Sequence, residues 1–436
     1  MSLLFLNDRR GEYPPSLYAD TRRVLNPFGR ISGELRADVA VVGGGYCGLS
    51  AALHLARQGH DVVLLEAHRV GFGATGRNGG QIGSGQRQEV DWLEDRLGRE
   101  AARRLWDLSQ EAKSLVRALA AEADLPIRDG IAHACRSNEE VDHAARMAER
   151  LARDYGYDQV QPLNRAALAA LIGSSAYRGG DLDRGAGHLH PLNLSLGMAR
   201  LAAEAGARIF EDSHVHRITH ARSATDKSVV HCDTGKIRCD HVILAGNGYI
   251  GNLAPKVAAR VMPINNYIVA TEPLGDDFPE ILPERSAVAD TKFVVNYWRM
   301  DEDRRLIFGG GETVRYKFPQ DIASVVQPHL LSVYPQLEGV RLTHAWGGTL
   351  AITMNRMPCF ARPAPNCLSA SGFSGHGVAM ATLAGRLMAQ AVTGQAGGFD
   401  AMAAVPTRAF PGGRVLRSPL LVAGMAWYGL RDRLGF

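Results

Sequence analysis

The chain lacks the cysteine patterns and the charge excess that mark several protein classes. Its 436 residues include only six cysteines, and none forms a CxxC pair or a tight cluster. This argues against a zinc ribbon and against a secreted disulfide scaffold, so we expect reduced thiols and no metal site. The net charge is only +4 with 22% charged residues. Neither a disordered chain nor a polybasic nucleic-acid binder is therefore expected.

Long apolar runs are also missing near both ends. The N-terminal sequence MSLLFLNDRR has four consecutive apolar residues, whereas a signal peptide needs about 7 to 15. Pro419 to Leu430 is apolar but shorter than the roughly 20 residues of a spanning helix. We expect a cytoplasmic protein whose C-terminal segment is a docked helix, with a peripheral membrane contact as the less favoured alternative.

Glycine, in contrast, is abundant, and its placement is informative. The segment VVGGGYCGLS puts Gly43, Gly45 and Gly48 in GxGxxG spacing between a predicted strand at 37–42 and a predicted helix. These glycines permit a tight turn, backbone approach to a pyrophosphate, and close helix–strand packing. Glu66 follows Gly43 by 23 residues, near the offset at which an acid meets ribose hydroxyls. The pattern predicts a dinucleotide site without separating FAD from NAD.

Two later segments bear on that choice. VILAGNGY places Ala245 and Gly246 after a buried strand, where small residues let the backbone lie against a nucleotide. SGFSGHG places Gly375 and Gly377 ahead of a predicted helix at 378–392. The free N–H groups and positive dipole end of that helix favour an anion. A flavin gains negative charge at its pyrimidine edge on reduction, so this helix start favours a flavin.

The intervening sequence changes its pattern twice. Residues 89–173 show helical apolar stripes, and Ser137 with Glu140 has capping-box spacing. Residues 262–348 indicate antiparallel strands, with a hairpin of Phe293–Met300 and Arg305–Phe308.

The sequence therefore predicts an α/β plus α+β chain: a discontinuous Rossmann-like FAD-binding domain with an inserted substrate domain built on an antiparallel sheet and helices. The predicted segments are an N-terminal arm at 1–36, the FAD-binding domain at 37–88, 185–261 and 349–400, the substrate domain at 89–184 (helical) and 262–348 (antiparallel sheet), and a C-terminal extension at 401–436.

Several segments together resemble the D-amino-acid-oxidase-like flavoenzyme superfamily. They are the GxGxxG fingerprint, GFGATGRNGGQ at 71–81, NYWRMDEDRRLIFGGG, WGG with ITMNRMP, and GFSGHG. Within that superfamily the chain is most similar to the gamma-glutamylputrescine oxidase group, over about residues 37–392. The resemblance implies FAD between two domains and oxidation of a C–N bond in a small amine or amino acid.

One departure from the group concerns the substrate. Where the group reads NRMPHFGR, this chain has Cys359 and Ala361 in place of His and Gly. Some relatives attach flavin through cysteine, but no cysteine falls at that family position, so we expect non-covalent FAD. Cys359 is the cysteine to check.

The resemblance also implies roles for individual residues. Those assigned to the nucleotide are Gly43, Gly45 and Gly48 at the pyrophosphate, Glu66 at the adenosine ribose, Val215 at the adenine, and Ala245 and Gly246 alongside. Those assigned to the isoalloxazine are Ala74, Thr75, Arg77, Asn78, Gly79, Gly80 and Gln81, with Gly375, His376, Gly377 and Val378 at its pyrimidine end. We expect His376 to be structural rather than catalytic.

Amine oxidation by flavin needs an unprotonated nitrogen, which an aromatic, desolvating pocket favours. Tyr267, Tyr297, Trp298 and Trp346 are the candidates. Arg299 shares a strand face with Tyr297, where it either pairs with a substrate carboxylate or forms a surface ion pair. No catalytic base is assigned.

The sequence leaves alternatives open for the electron acceptor and for the class of protein. Oxygen would make the protein an oxidase, whereas a quinone or protein acceptor would make it a dehydrogenase. A flavoprotein of RNA modification and a non-catalytic flavin-binding module are alternatives of another class. The small net charge argues against a nucleic-acid partner.

Overall fold

A computed structural model of the chain describes residues 3–412, except 224 and 314. Most of the predicted C-terminal extension, including Pro419–Leu430, lies outside the described residues. The strands are β1 (Gly33–Val42), β2 (Val62–Leu65), β3 (Gln81–Ile82), β4 (Arg128–Cys135), β5 (Val160–Asn164), β6 (Gly179–His188), β7 (Arg208–Phe210), β8 (Val215–Thr219), β9 (Ser228–Cys232), β10 (Gly235–Leu244), β11 (Met262–Thr271), β12 (Ala287–Asp290), β13 (Tyr297–Met300), β14 (Leu306–Thr313), β15 (Leu342–Ile352), β16 (Cys359–Ala364) and β17 (Cys367–Ser371).

The helices of the described residues include none that is both long and apolar enough to cross a membrane. They are α1 (Leu17–Asp20), α2 (Tyr46–Arg57), α3 (Val90–Leu97), α4 (Arg99–Glu122), α5 (Asn138–Tyr155), α6 (Arg165–Ile172), α7 (Pro191–Glu204), α8 (Pro255–Ala258), α9 (Ala323–Val333), α10 (Gly377–Val392) and α11 (Gly397–Ala403).

The first sheet has eight strands in the order β16-β17-β10-β1-β2-β7, with β9 beside β10 and β8 beside β9. The five strands from β17 to β7 run parallel. The apolar residues 39–42 of β1 are buried, as a strand covered on both faces requires. The predicted strand, glycine turn, helix and strand are confirmed as β1, α2 and β2. Because the strands are parallel, the loops that follow β1, β10 and β17 lie side by side at one edge.

The second sheet has nine strands in the order β15-β11-β14-β13-β12-β4-β6-β3, with β5 beside β6. It is antiparallel except for the β12–β4 pair. The predicted hairpin is present as β13 and β14, although β13 begins at Tyr297 rather than Phe293. Strands β4, β5 and most of β6 lie within residues 89–184, where we predicted helices, and β3 lies in a segment that we assigned to the FAD-binding domain. The sequence of β6, GGDLDRGAGH, has no β-branched or aromatic residue, so it gave no strand signal.

The long helix α4 packs against α7 and α10. Leu105 and Leu108 of α4 belong to the same buried cluster as the apolar residues of α2 and α10. This part of the predicted substrate domain therefore shares its core with the first sheet, and the domain boundaries stay predictions. Helix α5 begins after Ser137 with the predicted capping box to Glu140.

The N-terminal arm packs onto the molecule at the Gly71–Gln81 loop. The Asp8 carboxylate accepts two hydrogen bonds from the Arg77 guanidinium, at 3.2 and 3.0 Å. The Tyr13 hydroxyl donates to the Val70 carbonyl at 2.8 Å. The arm thus covers the outer side of a loop that the resemblance places at the flavin.

The Asp8–Arg77 ion pair predicts a loss of stability in Asp8→Asn. The Arg77 side chain is 2% exposed and that of Asp8 is 15% exposed, so the variant leaves a buried guanidinium without its counter-charge. We expect the free energy of unfolding to fall by about 3 kcal/mol, measured by denaturant titration. The control is Glu12→Gln in the same arm, because Glu12 is 64% exposed and only 4.0 Å from Arg9. Equal stability of the two variants would contradict a structural role for Asp8.

The contact between α2 and α10 predicts that Gly385→Ala is destabilising. A Cβ atom at Gly385 would collide with the Cys47 carbonyl and lie 2.7 Å from the Ala51 nitrogen. We expect a cost of about 1–3 kcal/mol from overpacking, seen as a lower Tm. The same change at Gly397 of α11 meets nothing within 4 Å and should not lower the Tm. A Tm that falls equally in both variants would contradict close helix packing as the cause.

Candidate active site

Three glycine-rich loops meet at the carboxyl edge of the first sheet. Gly43, which follows β1, has φ +111°, and a Cβ atom there would lie 2.8 Å from the Ala245 carbonyl oxygen after β10. The Gly372 N–H, after β17, donates to the Asn247 side chain at 2.9 Å. Segments far apart in the sequence therefore touch one another at this edge of the sheet, and we call the region in front of these loops the cleft.

The first turn of α2 fits a pyrophosphate. A Cβ atom at Gly48 would collide with the Gly43 carbonyl oxygen, and one at Gly45 would lie 2.8 Å from the Thr75 hydroxyl. Gly45 is the N-cap of α2 and has no side chain that could cap the helix. The Thr75 hydroxyl lies at this helix start and accepts the Tyr46 N–H at 3.2 Å, and the glycines let backbone and ligand approach closely beside it, as the GxGxxG turn requires.

Glu66 lies at the end of β2 beside this turn. Its carboxylate accepts the N–H groups of Gly44 at 2.7 Å and His68 at 2.9 Å. Burial raises its pKa to about 7. The Ser213 N–H donates to the Glu66 carbonyl at 2.8 Å, which brings the start of β8 at Val215 to the same end of the cleft. These positions fit an adenosine whose ribose hydroxyls meet Glu66.

The Gly71–Gln81 loop is shaped from within by Asn78. The Asn78 amide donates to the Ala74 carbonyl at 3.0 Å and the Thr75 carbonyl at 2.8 Å. Its side-chain oxygen accepts the Gly80 N–H at 2.7 Å. The Asn78 side chain therefore fixes the loop backbone.

Side chains of the second sheet also hold this loop. Arg299 donates through Nε to the Gly79 carbonyl at 2.9 Å, and Trp346 donates through Nε1 to the Arg77 carbonyl at 3.1 Å. Gln81 donates to a backbone carbonyl of β12 at 2.8 Å. Arg299 is buried, so the alternative of a surface ion pair is wrong. The side chains of Arg77, Gln81, Arg299 and Trp346 support the loop.

His376 is the N-cap of α10, where no side chain caps the helix. Burial lowers the His376 pKa to about 4, so the ring is neutral at pH 7. Its Nε2–H donates to the Gly85 carbonyl at 3.0 Å. This contact agrees with a structural role, and it leaves the N–H groups of Gly377 and Val378 available to an anionic edge of a ligand.

One face of the second sheet turns toward this loop. In the strand register, Tyr297 pairs with Gly309 on β14 and with Ala289 on β12. Ala289 pairs in turn with His133 on β4, and His133 pairs with Asp181 on β6. Residues that oppose each other on adjacent strands share a face. A Cβ atom at Gly79 would lie 2.7 Å from the Tyr297 ring. Tyr297, His133 and Asp181 thus lie on the face directed to the cleft.

Two other aromatic candidates lie elsewhere. Trp298 and Tyr267 are fully buried in the core cluster on the opposite face. Trp298 donates to the Tyr334 hydroxyl at 2.9 Å and stacks on Phe308. The alternation predicted for β13 is confirmed, and it brings Tyr297 and Arg299 to the loop while it turns Trp298 away.

His133 is a functional candidate that the sequence did not reveal. Its Nδ1 lies 2.7 Å from a carboxylate oxygen of Asp181, and 47% of its side chain is exposed. Burial lowers its pKa, but Asp181 raises it more strongly, to about 9. The imidazolium form therefore prevails at neutral pH. The segment GIAHAC carries no motif that could have indicated this pair.

Cys359, the position that departs from the resembling group, lies in β16 opposite Ser371. It is buried in the core cluster of the first sheet, and burial raises the pKa of its thiol. All six cysteines are buried and unpaired. The departure at Cys359 accordingly falls in a core position.

Comparison with known proteins agrees with this geometry. The FAD dependent oxidoreductase (DAO) family matches residues 38–391. A probable oxidoreductase, OrdL, of Rhizobium meliloti is 42% identical over 93% of this chain and 94% of that protein. Gamma-glutamylputrescine oxidoreductase of Escherichia coli is 39% identical over 97% of this chain and 99% of that protein.

Solved structures share the fold. Glycine oxidase from Geobacillus kaustophilus has a TM-score of 0.70 at 23% identity and covers 83% of this chain and 95% of that one. L-proline dehydrogenase from P. horikoshii has a TM-score of 0.68 at 21% identity and covers 84% and 94%. The predicted Rossmann-like domain with an inserted domain is confirmed. The chain belongs to the FAD dependent oxidoreductase (DAO) family, and its cofactor is FAD.

Proposed function

We propose that the chain oxidises a C–N bond of a small amine or amino acid by hydride transfer to flavin N5, with oxygen as the final electron acceptor. The observation that supports this most directly is the polar face with Tyr297 and His133, which meets the Gly71–Gln81 loop at Gly79. The name of the E. coli relative, gamma-glutamylputrescine oxidoreductase, supports an amine substrate. When bound, FAD supplies a two-electron acceptor beside this face.

Burial favours the uncharged forms of three groups at the cleft, whereas Asp181 keeps His133 charged. Burial raises the pKa of Tyr297, raises that of Glu312 to about 7, and lowers that of His376 to about 4. The same desolvation lowers the pKa of a bound substrate ammonium. The cleft therefore favours the neutral amine, whose nitrogen lone pair assists departure of the neighbouring hydrogen as hydride.

The surrounding residues then have positioning roles. The uncapped start of α10 offers N–H donors and the positive end of its dipole to an anionic edge. Arg299 and Trp346 fix the loop around Gly79, so the distance between loop and sheet face is set by hydrogen bonds. Water is needed only after the redox step, when it hydrolyses the imine product.

Anaerobic mixing of the yellow protein with amines tests this proposal. The probes are gamma-glutamylputrescine, putrescine, sarcosine and both enantiomers of common amino acids. We expect at least one amine to bleach the visible flavin absorbance, and admission of air to restore the colour with one peroxide formed per flavin. The N-acetyl derivative of the active amine is the matched control, because its nitrogen lone pair is delocalised and bleaching should be absent.

Two outcomes would contradict parts of the proposal. If dithionite bleaches the flavin but no amine does, amine oxidation is wrong and a flavin-binding module is favoured. If an amine bleaches it but only a quinone or protein acceptor restores the colour, the protein is a dehydrogenase.

A further inference from the structure

A β-bulge in β14 sets the direction of Glu312. Ile268 of β11 pairs with Gly309 of β14, and Asn266 pairs with Glu312. The two pairs are two residues apart on β11 but three residues apart on β14, so β14 contains one extra residue. The extra residue reverses the alternation of side chains beyond it. Glu312 consequently shares the face of Gly309 and Tyr297, which is the face directed to the cleft.

The neighbours of Glu312 connect it to the loop at the cofactor. Asn266, directly opposite Glu312, accepts a hydrogen bond from the Tyr297 hydroxyl. On its other side Asn266 pairs with Gly348, where a Cβ atom would lie 3.2 Å from that of Arg77. Glu312 is therefore two strands away from a backbone position that touches the Gly71–Gln81 loop.

The positive charges of two guanidinium groups lower the pKa of the Glu312 carboxyl, and each guanidinium also contacts another residue. Arg356 and Arg87 each lower its pKa, although neither forms an ion pair with it. The Arg87 Nε donates to the Ser374 carbonyl at 3.0 Å. The Arg356 guanidinium lies over the Phe293 ring, 5.0 Å from its centre.

The opposite face of β14 is covered by α9. A Cβ atom at Gly310 would lie 3.2 Å from that of His329, whose pKa is lowered by burial and then by Lys292. His329 therefore faces away from the cleft. Among the described residues, no hydrogen bond or ion pair satisfies the Glu312 carboxylate. Glu312 is part-exposed, so its carboxylate is open to a ligand that enters from the face of Tyr297 and completes its contacts.

We propose that Glu312 binds the cationic nitrogen of the amine substrate and then accepts its proton. The inference rests on the proposed amine oxidation and names the residue that selects a cation. In the proton step one N–H bond of the ammonium breaks, the proton joins a carboxylate oxygen of Glu312, and the electron pair stays on nitrogen. The products are a neutral amine and a neutral carboxyl group. A base that titrates near neutral pH suits this transfer.

Binding of a cation that cannot be oxidised tests the proposal. tert-Butylammonium has no hydrogen on the carbon next to nitrogen, and tert-butanol is its neutral isostere. With the FAD-loaded protein in an amine-free buffer, ligand-observed NMR titration should show the ammonium binding about 10- to 100-fold more tightly than the alcohol. Glu312→Gln should abolish this preference. Glu338→Gln, at an exposed glutamate in the same half of the chain, should keep it.

A pH series on the unaltered protein gives a second test that needs no variant. Between pH 6 and 8 the Glu312 carboxyl ionises, since its pKa is about 7, while tert-butylammonium stays charged. Affinity for the ammonium should rise by up to about tenfold across this range, and affinity for the alcohol should not change. This series decides the matter if Glu312→Gln fails to fold or to retain FAD.

Three results would overturn the proposal: no preference for the ammonium in the unaltered protein, a preference that persists in Glu312→Gln, or an affinity for the ammonium that does not change with pH. Because the assay measures binding of an inert cation, it is independent of bleaching by amines. Amine oxidation with no cation preference would reject Glu312 alone, whereas a cation preference without bleaching would reject the proposed reaction.

Discussion

The close approach of three backbone turns at the carboxyl edge of the first sheet is the constraint on which the rest of the molecule depends. Side chains at Gly43 or Gly48 would occupy space held by carbonyl groups, and Gly43 leaves no room between the β1 and β10 loops. Because these positions carry no side chain, the turns meet closely, and α2 packs against α10. The Gly71–Gln81 loop then touches both the α2 turn, at Thr75, and the Tyr297 face of the second sheet, at Gly79.

That loop couples the two sheets. Residues 71–81 leave the first sheet, yet Arg299, Trp346 and Gln81 tie them to the second through backbone carbonyls and side-chain donors. Asp8 of the N-terminal arm neutralises the Arg77 guanidinium on the outer side. Since these bonds fix backbone atoms, the Gly71–Gln81 loop and the strands of the second sheet form one unit rather than two surfaces that meet only on ligand binding.

The parts of this arrangement that depend on local pattern could be predicted from the sequence. The turn at Gly43–Gly48 and the hairpin of β13 and β14 follow from glycine spacing and side-chain alternation. Strand β6 could not be predicted, because its glycines and charged residues show no alternation of apolar and polar side chains. Alternation separated Tyr297 from Trp298 but could not say which face meets the cleft. Asp8–Arg77 spans 69 residues without a motif, and the direction of Glu312 depends on a bulge that only strand pairing reveals.

The cleft places two opposing demands on an amine, and the bulge in β14 reconciles them. Desolvation favours the neutral nitrogen, but amines arrive protonated, so a nearby group must take the proton. Neutral His376 has a pKa of about 4 and is a poor acceptor, while His133 is already protonated at neutral pH. Glu66 titrates near neutral pH but lies at the nucleotide end. Among these groups Glu312 alone combines a pKa near 7 with a place beside Tyr297. One inserted residue in a strand thereby places a proton acceptor on the face of Tyr297.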